Sequence, residues 1–139
     1  MTEKNKLLAR RALEFWSSDN NDDTALVFSE RYVNHQEPSI EGDVKNLDLD
    51  GWRALVADYH SAFSESRVRI IMQIAEDDLV ATRWEFAARH TGDYVGHAPT
   101  GRTAVWTGIQ IDRIADGRIV ESWVDWDKYR LLETLGLLR

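Results

Sequence analysis

Arg67-Val-Arg-Ile-Ile-Met-Gln-Ile-Ala-Glu76 is the stretch at which the chain changes period. Val68, Ile70, Met72 and Ile74 alternate with Arg67, Arg69 and Gln73, the pattern of a half-buried strand. Upstream the spacing is helical. Leu8, Ala12, Phe15 and Trp16 predict a first helix from about residue 3 to 18, closed by the polar turn Asp19–Asp23. Thr24 is placed to cap a short second helix, Ala25 to Glu30, ahead of an extended Tyr32-Val-Asn-His35. Residues Glu37 to Leu49 read as an acidic surface loop. Asp50 then caps a third helix carrying Trp52, Leu55, Val56, Tyr59 and Phe63 on one face.

Downstream the period stays at two. A second strand spans Leu79 to His90, and the loop Thr91–Gly101 leads to a third, Arg102 to Arg113. The hairpin turn Ala115-Asp-Gly117 opens a fourth strand, Arg118 to about Asp127. Asp127 is placed to cap a last helix, Lys128 to Leu135, which Gly136 ends. Helices followed by an antiparallel meander make an α+β order. A curved sheet of this kind leaves a pocket under its helices and an outer face free for a second copy.

The 139 residues suit one domain spanning 1–139, large enough to bury a core without disulfides or metal. Cysteine is absent, which excludes thiolate catalysis and zinc–thiolate sites and fits a cytoplasmic protein. A net charge of −7 with no Lys/Arg cluster argues against nucleic acid and anionic membranes as partners. The N-terminal stretch has no apolar core of the signal-peptide kind, and no apolar run reaches membrane-spanning length. Six tryptophans are many for this length and suggest a lined cavity.

Five short elements in register, Tyr32-Val-Asn-His35, Arg89-His-Thr-Gly92, Pro99-Thr-Gly101, Asp116-Gly-Arg-Ile119 and Leu135-Gly136, resemble the SnoaL-like polyketide cyclases of the nuclear transport factor 2-like superfamily. The resemblance covers nearly the whole chain. It implies a cone-shaped α+β barrel, its curved, mainly antiparallel sheet wrapped around N-terminal helices. It also implies a homodimer or higher homo-oligomer, no metal and no organic cofactor. Characterised members close a ring by intramolecular aldol condensation, with a carboxylate as general base and then general acid. Counting back without gaps from Asp127, the position of that carboxylate is Val124, and the histidine two residues ahead of it is Ser122. A second pocket histidine corresponds to Gln110 and its glutamine neighbour to Gly108; the early asparagine survives as Asn34. Valine can neither take nor return a proton.

Alternation places Val120, Ser122, Val124 and Trp126 on one face, with Trp106, Gly108 and Gln110 on one face of the preceding strand. That surface is apolar with two hydrogen-bonding groups, a description of a binding pocket. The candidate ligand pocket is therefore Asn34, His35, Trp52, Tyr59, Trp84, Phe86, Trp106, Gln110, Ser122, Val124 and Trp126. Asp127 and His90 are the candidate acid–base groups. Each has a structural alternative, a helix cap for Asp127 and a loop hydrogen bond for His90. No two histidines stand at metal-ligand spacing.

The first expectation is a protein that binds, and in one version transforms, a small apolar or aromatic molecule without a cofactor. The alternatives are a cofactor-independent cyclase or isomerase using Asp127 with His90, His35 or Asn34, and a non-catalytic dimeric interaction module.

Overall fold

Helix α1, Thr2–Glu14, buries Ala9, Ala12 and Leu13 and leaves Glu3, Arg10, Arg11 and Glu14 in solvent. The computed structural model in which it is seen describes residues 2–18, 23–37 and 45–138. The helix ends at Glu14 rather than residue 18. Trp16 and Ser17 instead donate to the carbonyls of Leu13 and Glu14, a tightened last turn that swings Trp16 under the sheet.

Helix α2 is a single turn, Thr24–Val27, and Thr24 does not cap it. The Thr24 hydroxyl accepts from Arg53 instead (2.6 Å). Strand β1, Phe28–Glu37, takes over earlier than expected because its backbone pairs in parallel with a strand from the far end of the chain. The expected polar turn, apart from Asp23, and residues 38–44 of the expected loop lie outside the described residues; of that loop, Lys45–Leu47 forms β2. Helix α3, Leu49–Ala62, is capped by Asp48, whose Oδ1 accepts from the Gly51 N–H at 2.8 Å. Asp50 sits in the first turn and pairs with Arg53. Phe63 has already become extended and opens β3, Phe63–Glu76.

Strands β4 (Leu79–His90), β5 (Thr103–Ala115) and β6 (Arg118–Trp126) follow, and α4, Lys128–Thr134, closes the fold. Among the described residues six strands form one sheet, ordered β2-β1-β6-β5-β4-β3. All neighbours are antiparallel except β1 and β6. Asp116 and Gly117 both adopt positive φ (52° and 74°), the geometry that a two-residue hairpin between twisted strands demands.

Bulges decide which side chains face the helices. Between Ile70 and Met72 the β3–β4 register shifts by one residue. Val68 and Ile70 are half-buried, but Met72 and Ile74 turn outward, 51% and 67% exposed, while Gln73 and Ala75 turn in. The strict alternation expected from Arg67 to Ile74 therefore breaks at Ile71, since one inserted residue reverses every later side chain. A second shift lies between Arg113 and Ile114 opposite β6. It puts Ile119, not Val120, in the core (Ile119 0% exposed).

Two apolar clusters fill the inner side. One joins Ala9, Phe15, Phe28, Tyr32, Trp52 and Val56 between α1, α3 and β1. The other joins Phe63, Trp84, Phe86, Trp106, Val124 and Leu131 under the centre of the sheet, and Trp16 packs against both. Among the described residues no helix is long and apolar enough to cross a membrane.

Candidate functional site

Three rows of inner-face residues cross the sheet in register. The uppermost is Trp126–Gly108–Trp84. Below it runs Gln36–Val124–Gln110–Thr82, and below that Asn34–Ser122–Asp112–Val80. Gly108 has a steric reason. A Cβ there would lie 2.3 Å from Cζ2 of Trp84 and 2.8 Å from the Asp125 carbonyl, so the indole lies flat over bare backbone.

A cavity of about 720 Å³ opens above these rows. Its walls are aromatic: Trp16, Tyr59, Phe63, Trp84, Phe86 and Trp106. Trp84 and Phe86 stand 4.2 Å apart between ring centroids, and Trp16 meets Tyr59 edge-on at 5.3 Å. Gln36, Val124 and Gln110 form the floor, and Trp126 and Lys128 also line the space, the ammonium 5.6 Å from the Trp126 ring centre. Exposed Asp58, Asp93 and Val95 lie at its margin.

Polar chemistry is concentrated beneath that floor. Asp112 is fully buried, and its Oδ1 accepts from Gln110 Nε2 (2.8 Å) and from the Ser122 hydroxyl. Its Oδ2 has no hydrogen-bond partner among the described residues. Burial pushes the Asp112 carboxyl up to about 6, against the opposing pull of the Ser122 and Gln110 hydrogen bonds. On β1 a parallel ladder descends. Gln36 Nε2 donates to Asn34 Oδ1 (2.6 Å), and Asn34 Nδ2 donates to the Tyr32 hydroxyl (2.7 Å). Burial raises the Tyr32 phenol, and the charge of nearby Asp112 adds to the effect. Tyr59 is pushed up to about 12 by burial, although its hydroxyl is hydrogen-bonded with Ser66 (2.6 Å).

The sequence candidates divide into those at the cavity and those elsewhere. Tyr59, Trp84, Phe86, Trp106, Gln110, Val124 and Trp126 line it. Asn34 and Ser122 are buried one row below the floor. Trp52 is not at the cavity; it packs on Phe28 (4.5 Å) and Phe15 (5.7 Å). Trp52 and Tyr59 share a face of α3, but seven residues of helix separate them by about 10 Å along the axis. His35 points to the opposite side of β1 from Asn34. There it stacks on Trp123 (5.5 Å) and contacts Glu121 Oε2 (2.7 Å) and Asn46 Oδ1 (2.6 Å). Arg113 also pairs with Glu121 (2.9 Å), and these two partners hold the Glu121 carboxyl below the usual carboxylate range.

Neither acid–base candidate is brought to the cavity. The exposed Asp127 caps α4, its Oδ1 accepting from the Arg130 N–H at 2.9 Å. His90 is 0% exposed, and its Nδ1 accepts from the Thr100 N–H (3.1 Å), which puts its proton on Nε2. The ring sits beside Phe63 and Tyr94, bracing the loop after β4. Among the described residues no group of three or more His, Asp or Glu side chains could hold a metal ion.

The element order, the sheet with its one parallel pair, and the cavity beneath it agree with a sequence match of wide extent. The family model of the SnoaL-like polyketide cyclases matches residues 6–135. The chain belongs to this family. Among the curated relatives of this SnoaL-like protein is aklanonic acid methyl ester cyclase DauD of Streptomyces sp. (strain C5). The two are 28% identical over 123 residues, covering 88% of this chain and 74% of the relative. AclR of Streptomyces galilaeus superposes with a TM-score of 0.86 at 24% identity, covering 100% of this chain and 89% of that one. IdmH of Streptomyces antibioticus superposes with a TM-score of 0.82 at 25% identity, covering 95% of this chain and 98% of that one.

Several residues of the SnoaL-like site escape a reading by strands. Asp112 carries a visible signal, because it continues the alternation Trp106, Gly108, Gln110 by one step. Gln36 likewise continues Tyr32 and Asn34. Trp16 and Tyr94 carry none, since a tightened turn and a loop bring them to the wall.

Proposed function

We propose that this SnoaL-like protein takes a small, largely apolar, ring-bearing molecule of the polyketide-derived class into its cavity without a cofactor. On this reading the position that holds the catalytic aspartate in aldol cyclases is occupied by Val124. The observation that carries it is the floor of the cavity, where Val124 stands between Gln36 and Gln110 in one row beneath aromatic walls. Such a surface binds by apolar area and orients by hydrogen bonds. The named activity of DauD supports the ligand class. The exposed cap geometry of Asp127 supports leaving that residue out of any chemistry.

The test is a tryptophan-quenching titration with 2-naphthol, a bicyclic probe whose binding reports on the aromatic walls. Val124→Trp fills the floor, and its expected effect is a loss of probe affinity of at least tenfold with the melting temperature retained. Undiminished affinity in a folded variant sinks the reading.

The outer sheet face supports a homodimer. Ile74, Ala81, Ile111 and Trp123 lie in one row across β3 to β6, and Ile74, Ile111 and Trp123 are 67%, 37% and 38% exposed. Ile111→Glu is expected to shift the sedimentation coefficient to that of a monomer; a monomeric parent protein contradicts this assembly.

A further inference from the structure

Gln36 and Gln110 line the same floor, and both turn their amide nitrogens away from the cavity, toward Asn34 and Asp112. The two amides are not equally constrained. Asn34 can offer Gln36 either end of its own amide, because the Tyr32 hydroxyl below it both donates and accepts. Asp112 gives Gln110 no such choice. An ionised carboxylate only accepts, so the Gln110 NH2 must face it, and Oε1 is the end left for the cavity. The Ser122 hydroxyl, donating to the same carboxylate oxygen from β6, ties Asp112 in place from the other side. Val124 lies between the two glutamines and offers no donor to satisfy that oxygen.

We propose that Asp112 is a positioning residue that locks Gln110 with its carbonyl oxygen toward the cavity, so that the floor selects ligands bearing a phenolic or enolic hydroxyl at their leading end. Asp112 itself does not touch the ligand; it acts through Gln110. This inference rests on the binding reading above and deepens it by naming the functional group recognised. A skeleton whose hydroxyl is methylated leaves a desolvated acceptor unpaired, and sites built to hydrogen-bond a hydroxyl reject such analogues.

The experiment compares 2-naphthol with 2-methoxynaphthalene in parallel titrations of the parent protein, Asp112→Leu and Gln110→Met. The parent is expected to prefer the naphthol by about tenfold. Asp112→Leu has nearly the shape of aspartate without the acceptor. It is expected to bring the two affinities within about twofold of each other, as is Gln110→Met. A structural role for Asp112 would weaken both probes together and leave their ratio unchanged, and that result overturns the proposal. Should Asp112→Leu not fold, Asp112→Asn takes its place. Asparagine can face Gln110 with either end, so the expected ratio drops at least threefold, and an unchanged ratio again overturns the positioning role. Failure of both probes to bind the parent at millimolar concentration defeats the binding reading, whereas equal affinities for the parent defeat this inference alone.

Discussion

The inner face of β5 carries two surfaces that are built in opposite ways. Its first half presents Trp106 and the bare backbone at Gly108 to a wall of aromatic rings, while its second half presents Gln110 and Asp112, hydrogen-bonded to each other and to the Ser122 hydroxyl of β6. The aromatic half is held by area and shape, which are non-directional and indifferent to pH. Direction matters in the polar half: each atom needs a partner of the right kind, and one oxygen of Asp112 has none among the described residues. A ligand bound between them would gain most of its affinity from the first and its orientation from the second.

The contrast can be broken from the apolar side first. Trp106→Ala removes a ring that meets Phe63, Phe86 and Tyr59 at centroid distances of 5.8, 5.7 and 6.3 Å. The expected loss is about 4 kcal/mol in urea unfolding. That loss should be the same at pH 5 and pH 8, because no titrating group is involved.

The polar side responds to pH instead. The Asp112 carboxyl titrates at about 6 in the folded protein against an ordinary value of 3.8. Between those values the native state holds a proton that the unfolded chain has released, so stability falls as pH rises through that window. The contribution is complete below pH 4 and lost above pH 6, and amounts to about 3 kcal/mol. Asp112→Asn should flatten the stability profile between pH 4 and 7 relative to the parent, and parallel profiles would show that the carboxyl titrates normally.

At the boundary between the halves, Gly108→Ala places a methyl against the Trp84 ring and the Asp125 carbonyl. The expected cost is about 2 kcal/mol, with a shift in the Trp fluorescence maximum as the indole moves. Smallest of all is a change outside both. Asp127→Ala should cost about 1 kcal/mol by loss of the α4 cap, and Asp127→Ser should restore most of it, read by thermal melting.

The strands most easily seen in the sequence are those the structure keeps. Leu79–His90 has the expected bounds, and the hairpin at Asp116 and Gly117 forms because those two residues tolerate positive φ. Expectations slipped where the partner lay far away in sequence. Phe63 reads as the last apolar position of a helix, yet its backbone pairs with His90 and makes it the first of a strand. His35 and Asn34 are adjacent, and only the pairing of β1 with β6 decides that Asn34 faces the core and His35 faces Trp123. Met72 and Ile74 look like core residues until the bulge at Ile71 turns them out.

By itself the sequence determined the α+β order, the position of most elements and the inner-face run Trp106, Gly108 and Gln110 of β5. These follow from local periodicity, which a single chain segment contains in full. The cap role of Asp127 was legible in the same way, but only the tertiary structure decided that Asp112, which the alternation of β5 merely turns inward, is sealed beneath Gln110 and Ser122. One partner of Asp112, Gln110, stands two residues away on its own strand, but the other, Ser122, comes from β6, and the desolvation that sets its charge belongs to the assembled sheet rather than to any segment of it.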